Sequence, residues 1–523
     1  MALEDYVPRQ WQVLATTLLL AMLLLPLLSM LLVAASRASP NSTGTRNKLP
    51  PHPPGLPILG NLHQMGALPH RSLWEMAQRH GPVMMLRLGT VPTLVVSSAG
   101  AARDVLKTHD ADCCSRPDTP GPRRLSYQHN DVAFSPYSEQ WRERRKLLVV
   151  EFLSKRRIQA TWYARETEVG KLVSGLAVAS MNEQEPVCLE DHVFGYMDGI
   201  VGTVAFGNMY GTEHFAHKEH FHHVIDEAMV VRSSFSAEDY FPNTLGRLVD
   251  RLTGVASLRE MVFKEFDAFF EMMLGQAKPD NAGCVGLIDV LIRLMKERQQ
   301  GSFTVSRDVV KGLLTNTFIG AVDTGAVTII WAMAELVRNP HVLNKVQNEI
   351  RTMVGNRERV QQDDVAKLKY LKMVVMETLR LHPALPLLVP RETMRHITVS
   401  GYDVPAKTRI LVNAWAIGRD PTNWENPEEF IPERFKGEED VNFNRAQFEF
   451  LPFGAGRRMC PGIDMGLATT EFTLANLLYC FDWELPEGLR SEDMSMEEAG
   501  GLTIHKKTRL LLVPTRYKCG SAS

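Results

Sequence analysis

The chain has 523 residues, 58 Lys and Arg against 60 Asp and Glu, and a net charge of −2 with histidine neutral, a balance that argues against a general nucleic-acid surface. The composition is ordinary for a globular protein, and no internal repeat or Gly/Ser linker divides a length that would allow about three average domains. The seven cysteines, Cys113, Cys114, Cys188, Cys284, Cys460, Cys480 and Cys519, are odd in number and lack zinc-type spacing, which places the bulk of the chain in a reducing compartment.

From Gln10 to Ser36 the chain carries no charge, enough residues to cross a bilayer with tilt. A cleaved signal peptide has a shorter apolar core behind a basic start. This start is mixed (Glu4, Asp5, Arg9), which predicts a retained signal-anchor helix over 1–36. Arg37, Arg46 and Lys48 follow without an acid between them, so the positive-inside rule puts the body in the cytosol. The run Leu49–Pro57 is rich in proline, extended and semi-rigid. It closes a basic, Pro-rich hinge over 37–60, leaving 61–523 as one mainly α body with small β-sheets.

Val83–Leu88 and Thr93–Val96, separated by Gly89 and Pro92, read as a hairpin. Ser98–Lys107 reads as a helix. Cys113–Pro136 has several prolines and glycines and no clear period, so a long loop is expected, with Cys113–Cys114 packed or lining a cavity. Trp141 and Arg145 share one face of a basic helix running towards Leu153. Residues 157–305 read mostly helical. Within them His214, His217, His220, His222 and His223 are expected on a solvated segment, not around a metal.

The strongest helix runs from an N-cap at Ser306 to a stop at Arg338-Asn339-Pro340. It is apolar nearly all round from Leu313 to Met333, which predicts a buried central helix. Asp323 in its middle, with Thr315, Asn316, Thr317, Thr324 and Thr328, argues against a second membrane span. A buried Asp is costly, and an acid next to a hydroxyl can relay protons in a dry site, so Asp323 and Thr324 are candidate catalytic residues. Glu377 and Arg380, three apart, share a helix face. Finally, Phe453–Gly462 sets Cys460 in a loop with Gly454, Gly456, Gly462, Arg457 and Arg458. Glycine lets backbone approach a ligand closely, and amides and cations stabilise a thiolate. Pro461 is suited to begin the next helix.

Phe453, Gly456, Arg458, Cys460 and Gly462 match the pattern Phe-x-x-Gly-x-Arg-x-Cys-x-Gly, which resembles the haem-ligand loop of the cytochrome P450 family. The resemblance implies the P450 fold, haem b (iron protoporphyrin IX) as cofactor and Cys460 as the metal ligand. A single thiolate pushes electron density onto the iron. Trp141, Arg145, Arg391 and Arg458 match positions that hold the haem propionates, for which arginine is suited, and Phe453 belongs to the cofactor loop. Gly320–Thr324 resembles the oxygen-binding motif, with Ala321 in place of a second glycine and Gly325 in place of a second hydroxyl. Glu377, Arg380 and Arg434 match the family's buried structural triad. By resemblance, Ala384–Val389 and Ala499–Thr503 line the substrate pocket, and Phe206–Phe241 contributes part of its roof, with Phe235, Tyr240 and Phe241 as aromatic contacts or core.

Anchor, hinge and cysteine loop are similar to the large plant clan of microsomal members. That implies a monooxygenase in the endoplasmic reticulum membrane, single-pass with a cytosolic body, fed by NADPH–cytochrome P450 reductase and acting on a small molecule, with no nucleic acid. Asp112–Pro117, Gly199–Asn208, Ser236–Asp239 and Phe318–Ala321 resemble grass members that take an aldoxime through a nitrile to a cyanohydrin. The alternatives are a hydroxylase of an indole, terpenoid or phenolic substrate, an aldoxime dehydratase without hydroxylation, and a non-enzymatic haem protein.

Overall fold

The computed structural model describes residues 48–181, 185–207, 210, 235–276, 286–297, 303–437 and 447–517. The anchor over 1–36, the histidine cluster, Cys284 and Cys519 lie outside the described residues.

Helix α1 (Pro69–His80) precedes the hairpin β1 (Val83–Leu88) and β2 (Val91–Val96). The strands pair antiparallel, Val83 opposite Val96, around the turn at Gly89. The Pro-rich run lies beside this hairpin: Met85 N donates to Pro51 O at 2.8 Å. Helix α2 (Ala99–Arg103) is capped by Ser98, whose Oγ accepts from Ala101 N, and passes into a π-helical turn over Asp104–Thr108. The stretch expected as an open loop contains two short helices, α3 (Asp110–Cys113) and α4 (Pro120–Leu125). Proline in the first turn makes α4 possible where no apolar period announces it. Cys113 and Cys114 are fully buried, and the five cysteines described are all free thiols.

Helix α5 (Glu139–Glu151) carries Trp141 and Arg145, and α6 (Trp162–Ala179), α7 (Leu189–Phe206) and α8 (Val255–Gln276) follow. The central helix α9 (Arg307–Arg338) has the expected bounds, with Ser306 Oγ accepting from Val309 N and Pro340 opening α10 (Pro340–Val354). It packs against α7, α11 (Lys369–Leu381) and α12 (Ile463–Cys480). Leu313, Leu314, Phe318, Ile329, Ala332 and Met333 have no exposed surface. Its β-branched run Val327–Ile330 costs at most ~0.7 kcal/mol per residue in helix propensity. Burying each large side chain returns roughly 1.5–3 kcal/mol, so packing decides the conformation. Among the described residues α9 alone is long and apolar enough to cross a bilayer, and it is the core of the body. Strands β3 (Arg391–Glu392) and β4 (Arg409–Val412) complete a sheet of order β1-β2-β4-β3, with β2 and β4 parallel. Near the C-terminus β5 (Glu498–Ala499) pairs with β6 (His505–Lys506). The architecture is mainly helical with small sheets.

Candidate active site

A cavity of about 340 Å³ lies between the Cys460 loop and the middle of α9. Its walls are largely apolar, with Phe134, Val201, Val204, Ile319, Leu388 and Phe453 among them. The loop is closed by Cys460 N donating to Phe453 O at 3.0 Å. Gly456 has φ +71°, and a Cβ there would stand 2.4 Å from Asp110 Oδ1 and from Leu106 O. Glycine is therefore required by both backbone conformation and space. Helix α12 starts at Ile463 with Gly462 as its cap, two residues later than Pro461 suggests. The Cys460 sulfur lies in the cavity wall. Burial pushes its thiol pKa up, while a hydrogen bond from the Gly462 amide and the Arg145 charge pull it down. A bound metal ion deprotonates such a thiol outright.

Arg116, Arg145, Arg391 and Arg458 reach the same cavity. Arg391 pairs with Asp110 at 2.9 Å and donates to Ala455 O at 2.6 Å. Described hydrogen bonds of the other three run to carbonyl oxygens. Arg116 donates to Ala133 O, Val389 O and Pro390 O. Arg145 donates to Met459 O at 2.6 Å, and Arg458 to Cys114 O, Val132 O and Ser135 O. Burial lowers Arg116 well below its ordinary value and Arg458 to about 9, and neighbouring arginines push the same way. A surplus of buried positive charge around an apolar cavity fits a flat, dianionic ligand. Trp141 does not line the cavity. Its indole N–H donates to Val132 O at 2.9 Å and its ring lies 3.9 Å from the Arg458 guanidinium. It backs an arginine instead of reaching the ligand space.

On the opposite wall stand Gly320, Ala321, Thr324 and Gly325 of α9. The Thr324 hydroxyl donates back to Gly320 O at 2.7 Å. Asp323 is buried beside it, and its carboxylate meets Thr503, whose hydroxyl donates to Oδ2, and His505, whose Nε2 is 3.1 Å from Oδ1. Gly325 leaves the helix unbroken, and its missing side chain makes room for Met197 of α7: a Cβ would stand 2.4 Å from Met197 Cε. The contact is with the end of a flexible side chain, so a Cβ at position 325 would require Met197 to shift. Asn316 pins the α4–α5 connection to α9, its Oδ1 accepting from Val132 N at 2.8 Å and Ala133 N at 3.0 Å.

Glu377, Arg380 and Arg434 come together as expected. Glu377 and Arg380 have no exposed side-chain surface and pair through two hydrogen bonds of 2.7 and 2.8 Å. Arg434 Nε reaches Glu377 Oε1 at 3.0 Å. Of the expected pocket segments, Ala384, Leu385, Leu388, Val389, Leu502 and Thr503 do line the cavity. Phe235, Tyr240 and Phe241 do not. Phe235 is exposed and stacks on Tyr240, which packs near Arg409, and Phe241 lies against Gly89. Asp110, Asn316 and His505 carried no motif of their own, while Arg116 and Thr503 fell in segments marked only by resemblance. Apart from the Thr503–His505 contact, their partners are 17 to 347 residues away in sequence, so no local pattern reveals them.

A partly buried cysteine, a cluster of buried arginines and an apolar cavity come together beneath a long helix. The chain belongs to the cytochrome P450 family, whose model matches residues 50–513. It is 56 % identical over 522 residues, 98 % of this chain and 97 % of the relative, to 4-hydroxyphenylacetaldehyde oxime monooxygenase of Sorghum bicolor. It is 45 % identical over 526 residues, 99 % of both chains, to 2-methylbutanal oxime monooxygenase of Manihot esculenta. A zebra fish cytochrome P450 solved with abiraterone matches with a TM-score of 0.71 at 23 % identity, covering 86 % of this chain and all of that one. The protein is a P450 monooxygenase, an oxidoreductase whose cofactor is haem b.

Proposed function

We propose that this enzyme converts an aldoxime through a nitrile to a cyanohydrin, with 4-hydroxyphenylacetaldehyde oxime as substrate. The observation that carries the reading is the pair of relatives above, both aligned over nearly their whole length and both named for oximes. In the first step R–CH=N–OH loses water to give R–C≡N. In the second, one oxygen atom of O₂ enters the adjacent C–H bond and the other leaves as water, using two electrons and two protons. Bound haem supplies the electron transfer and oxygen activation for this chemistry.

The chain's own residues bind, orient and exclude water. Cys460 would hold the haem iron, with Phe453 in the same loop. Arg145, Arg391 and Arg458 would pair with the propionates, and Trp141 backs Arg458. Asp323 and Thr324 serve proton handling on the side of the cavity facing Cys460. Glu377, Arg380 and Arg434 are structural. Residues 1–36 anchor the enzyme in the endoplasmic reticulum membrane by a single span, 37–60 form the hinge, and the body over 61–523 faces the cytosol, where NADPH–cytochrome P450 reductase supplies electrons.

Anaerobic optical titration of the ferrous holoenzyme with 4-hydroxyphenylacetaldehyde oxime tests the binding step. The expected result is a saturating shift of the nitrogen-ligand type. An unchanged spectrum at saturating oxime counts against the assignment.

A further inference from the structure

We propose that His505, Asp323 and Thr503 form a proton line from solvent into the active-site cavity, with His505 as its solvent-side intake and Thr503 as its cavity-side hydroxyl. The Asp323 side chain is only 9 % exposed, and its two oxygens are divided between two partners. Oδ1 lies 3.1 Å from His505 Nε2, and Oδ2 accepts from the Thr503 hydroxyl. Thr503 Oγ1 is also 3.1 Å from His505 Nε2, so the three groups close a triangle. One corner is open to water, since the His505 side chain is 38 % exposed. Another corner, Thr503, is part of the cavity wall. The Thr324 hydroxyl donates to Gly320 O, and its oxygen keeps a lone pair able to accept on the cavity side.

The imidazole is also held in place. Phe194 of α7 stacks on it at 5° with ring centroids 6.0 Å apart, and its main chain pairs with Ala499. An imidazole titrates near neutral pH and so takes protons from water readily. In each passage, the imidazolium gives its Nε2 proton to the Asp323 carboxylate. Once Asp323 is protonated, the Thr503 hydroxyl turns from Oδ2 towards the cavity. It gives its proton there as its Oγ1 takes the carboxyl proton, and then turns back to Oδ2. His505 then takes a new proton from water, and every group is back where it began. Two passages supply the two protons that monooxygenation consumes per O₂, while the electrons come from NADPH. A purely structural histidine would only hydrogen-bond the buried carboxylate and hold it in place. In that case a neutral hydrogen-bonding substitute at position 505 should suffice.

Among the described residues, the charged group against His505 is Asp323 on α9; Lys506, next to it on β6, is registered opposite Glu498, whose carboxylate is taken up by His70 and Arg71. His505 is therefore expected to feel Asp323 first. Exchange of the imidazole C2 hydrogen, read by mass spectrometry in the holoenzyme, gives the pKa of His505 itself. It should fall in D323N, and an unmoved value would break the proposed link. The second readout is peroxide released per NADPH oxidised by the reconstituted holoenzyme, with and without 4-hydroxyphenylacetonitrile. Interrupted proton delivery diverts reduced oxygen to peroxide whichever organic molecule is present, so this readout stands apart from the oxime reading. H505Q and T503V should each raise the peroxide share several-fold, with the double variant no worse than either. A wild-type peroxide share in H505Q that retains its thiolate–carbon monoxide band would overturn the proposal. Should H505Q fail to hold haem, T503V decides in the same way.

Discussion

Glu498 is one buried carboxylate serving three donors. His70 Nε2 and Arg71 Nε meet its Oε2 at 3.0 and 2.7 Å, and Trp415 Nε1 donates to Oε1 at 3.2 Å. Burial alone would push its carboxyl up, but the hydrogen bonds from His70 and Arg71 outweigh this and hold it at about 2. A depressed folded-state pKa stabilises the fold fully above the unfolded value of roughly 4.3. That contribution is lost as pH falls from there towards about 2. A shift of this size corresponds to about 3 kcal/mol. E498Q should therefore be less stable than wild type in urea unfolding at about pH 7, with the gap roughly halved at about pH 3. An equal gap at both would contradict the linkage. Such residues were illegible in the sequence, because the three donors lie 83, 427 and 428 residues from the acid.

At the scale of elements, the Glu377 triad joins α11 to the chain that leads into the cysteine loop. Arg380 also donates to Gly418 O and Pro427 O, both at 2.7 Å, and Ile431 N donates to Glu377 Oε1 at 2.8 Å. Replacing Glu377 by Ala leaves two arginines beside an apolar site with no counter-charge, which costs about 3–5 kcal/mol. The expected outcome is lost haem incorporation and a collapsed thiolate–carbon monoxide band in purified E377A. Full haem content would show the triad to be dispensable. The pair at positions 377 and 380 was visible in the sequence by helical spacing, whereas its burial was legible only through the resemblance to the family's triad. The same contrast holds elsewhere. Helix α9 was legible to within a residue because Ser306 and Pro340 mark its ends and its apolar run is long. Helix α4 was not, since six residues opened by Pro120 show no period. The late start of α12 arises because the turn after Cys460 uses Pro461 and Gly462 before helical hydrogen bonding begins.

Across the whole molecule, residues scattered from Arg116 to Thr503 converge on one cavity. Short signatures locate the cysteine, the acid–hydroxyl pair and the arginines, because each has a residue type and spacing that chemistry constrains. The parts that tie them together depend on long-range packing: Asp110 under the cysteine loop, Asn316 against the preceding connection, Met197 filling the space left by Gly325, and Thr503 with His505 around Asp323. The Trp141 side chain illustrates the limit. The sequence pattern sets it with the propionate-binding residues, and in the structure its indole N–H donates to Val132 O while its ring lies over Arg458. The walls of this cavity are mainly apolar, as is most of the surface of the proposed arylaliphatic oxime.

The most direct test supplies 4-hydroxyphenylacetaldehyde oxime, NADPH and air to the full-length enzyme reconstituted with a plant reductase, and follows nitrile and cyanohydrin together. The account predicts both, with the nitrile appearing first and the cyanohydrin, or the aldehyde and cyanide it releases, accumulating behind it. Nitrile without cyanohydrin would restrict the enzyme to dehydration. Neither product, from a preparation with a full thiolate–carbon monoxide band, would contradict the aldoxime assignment.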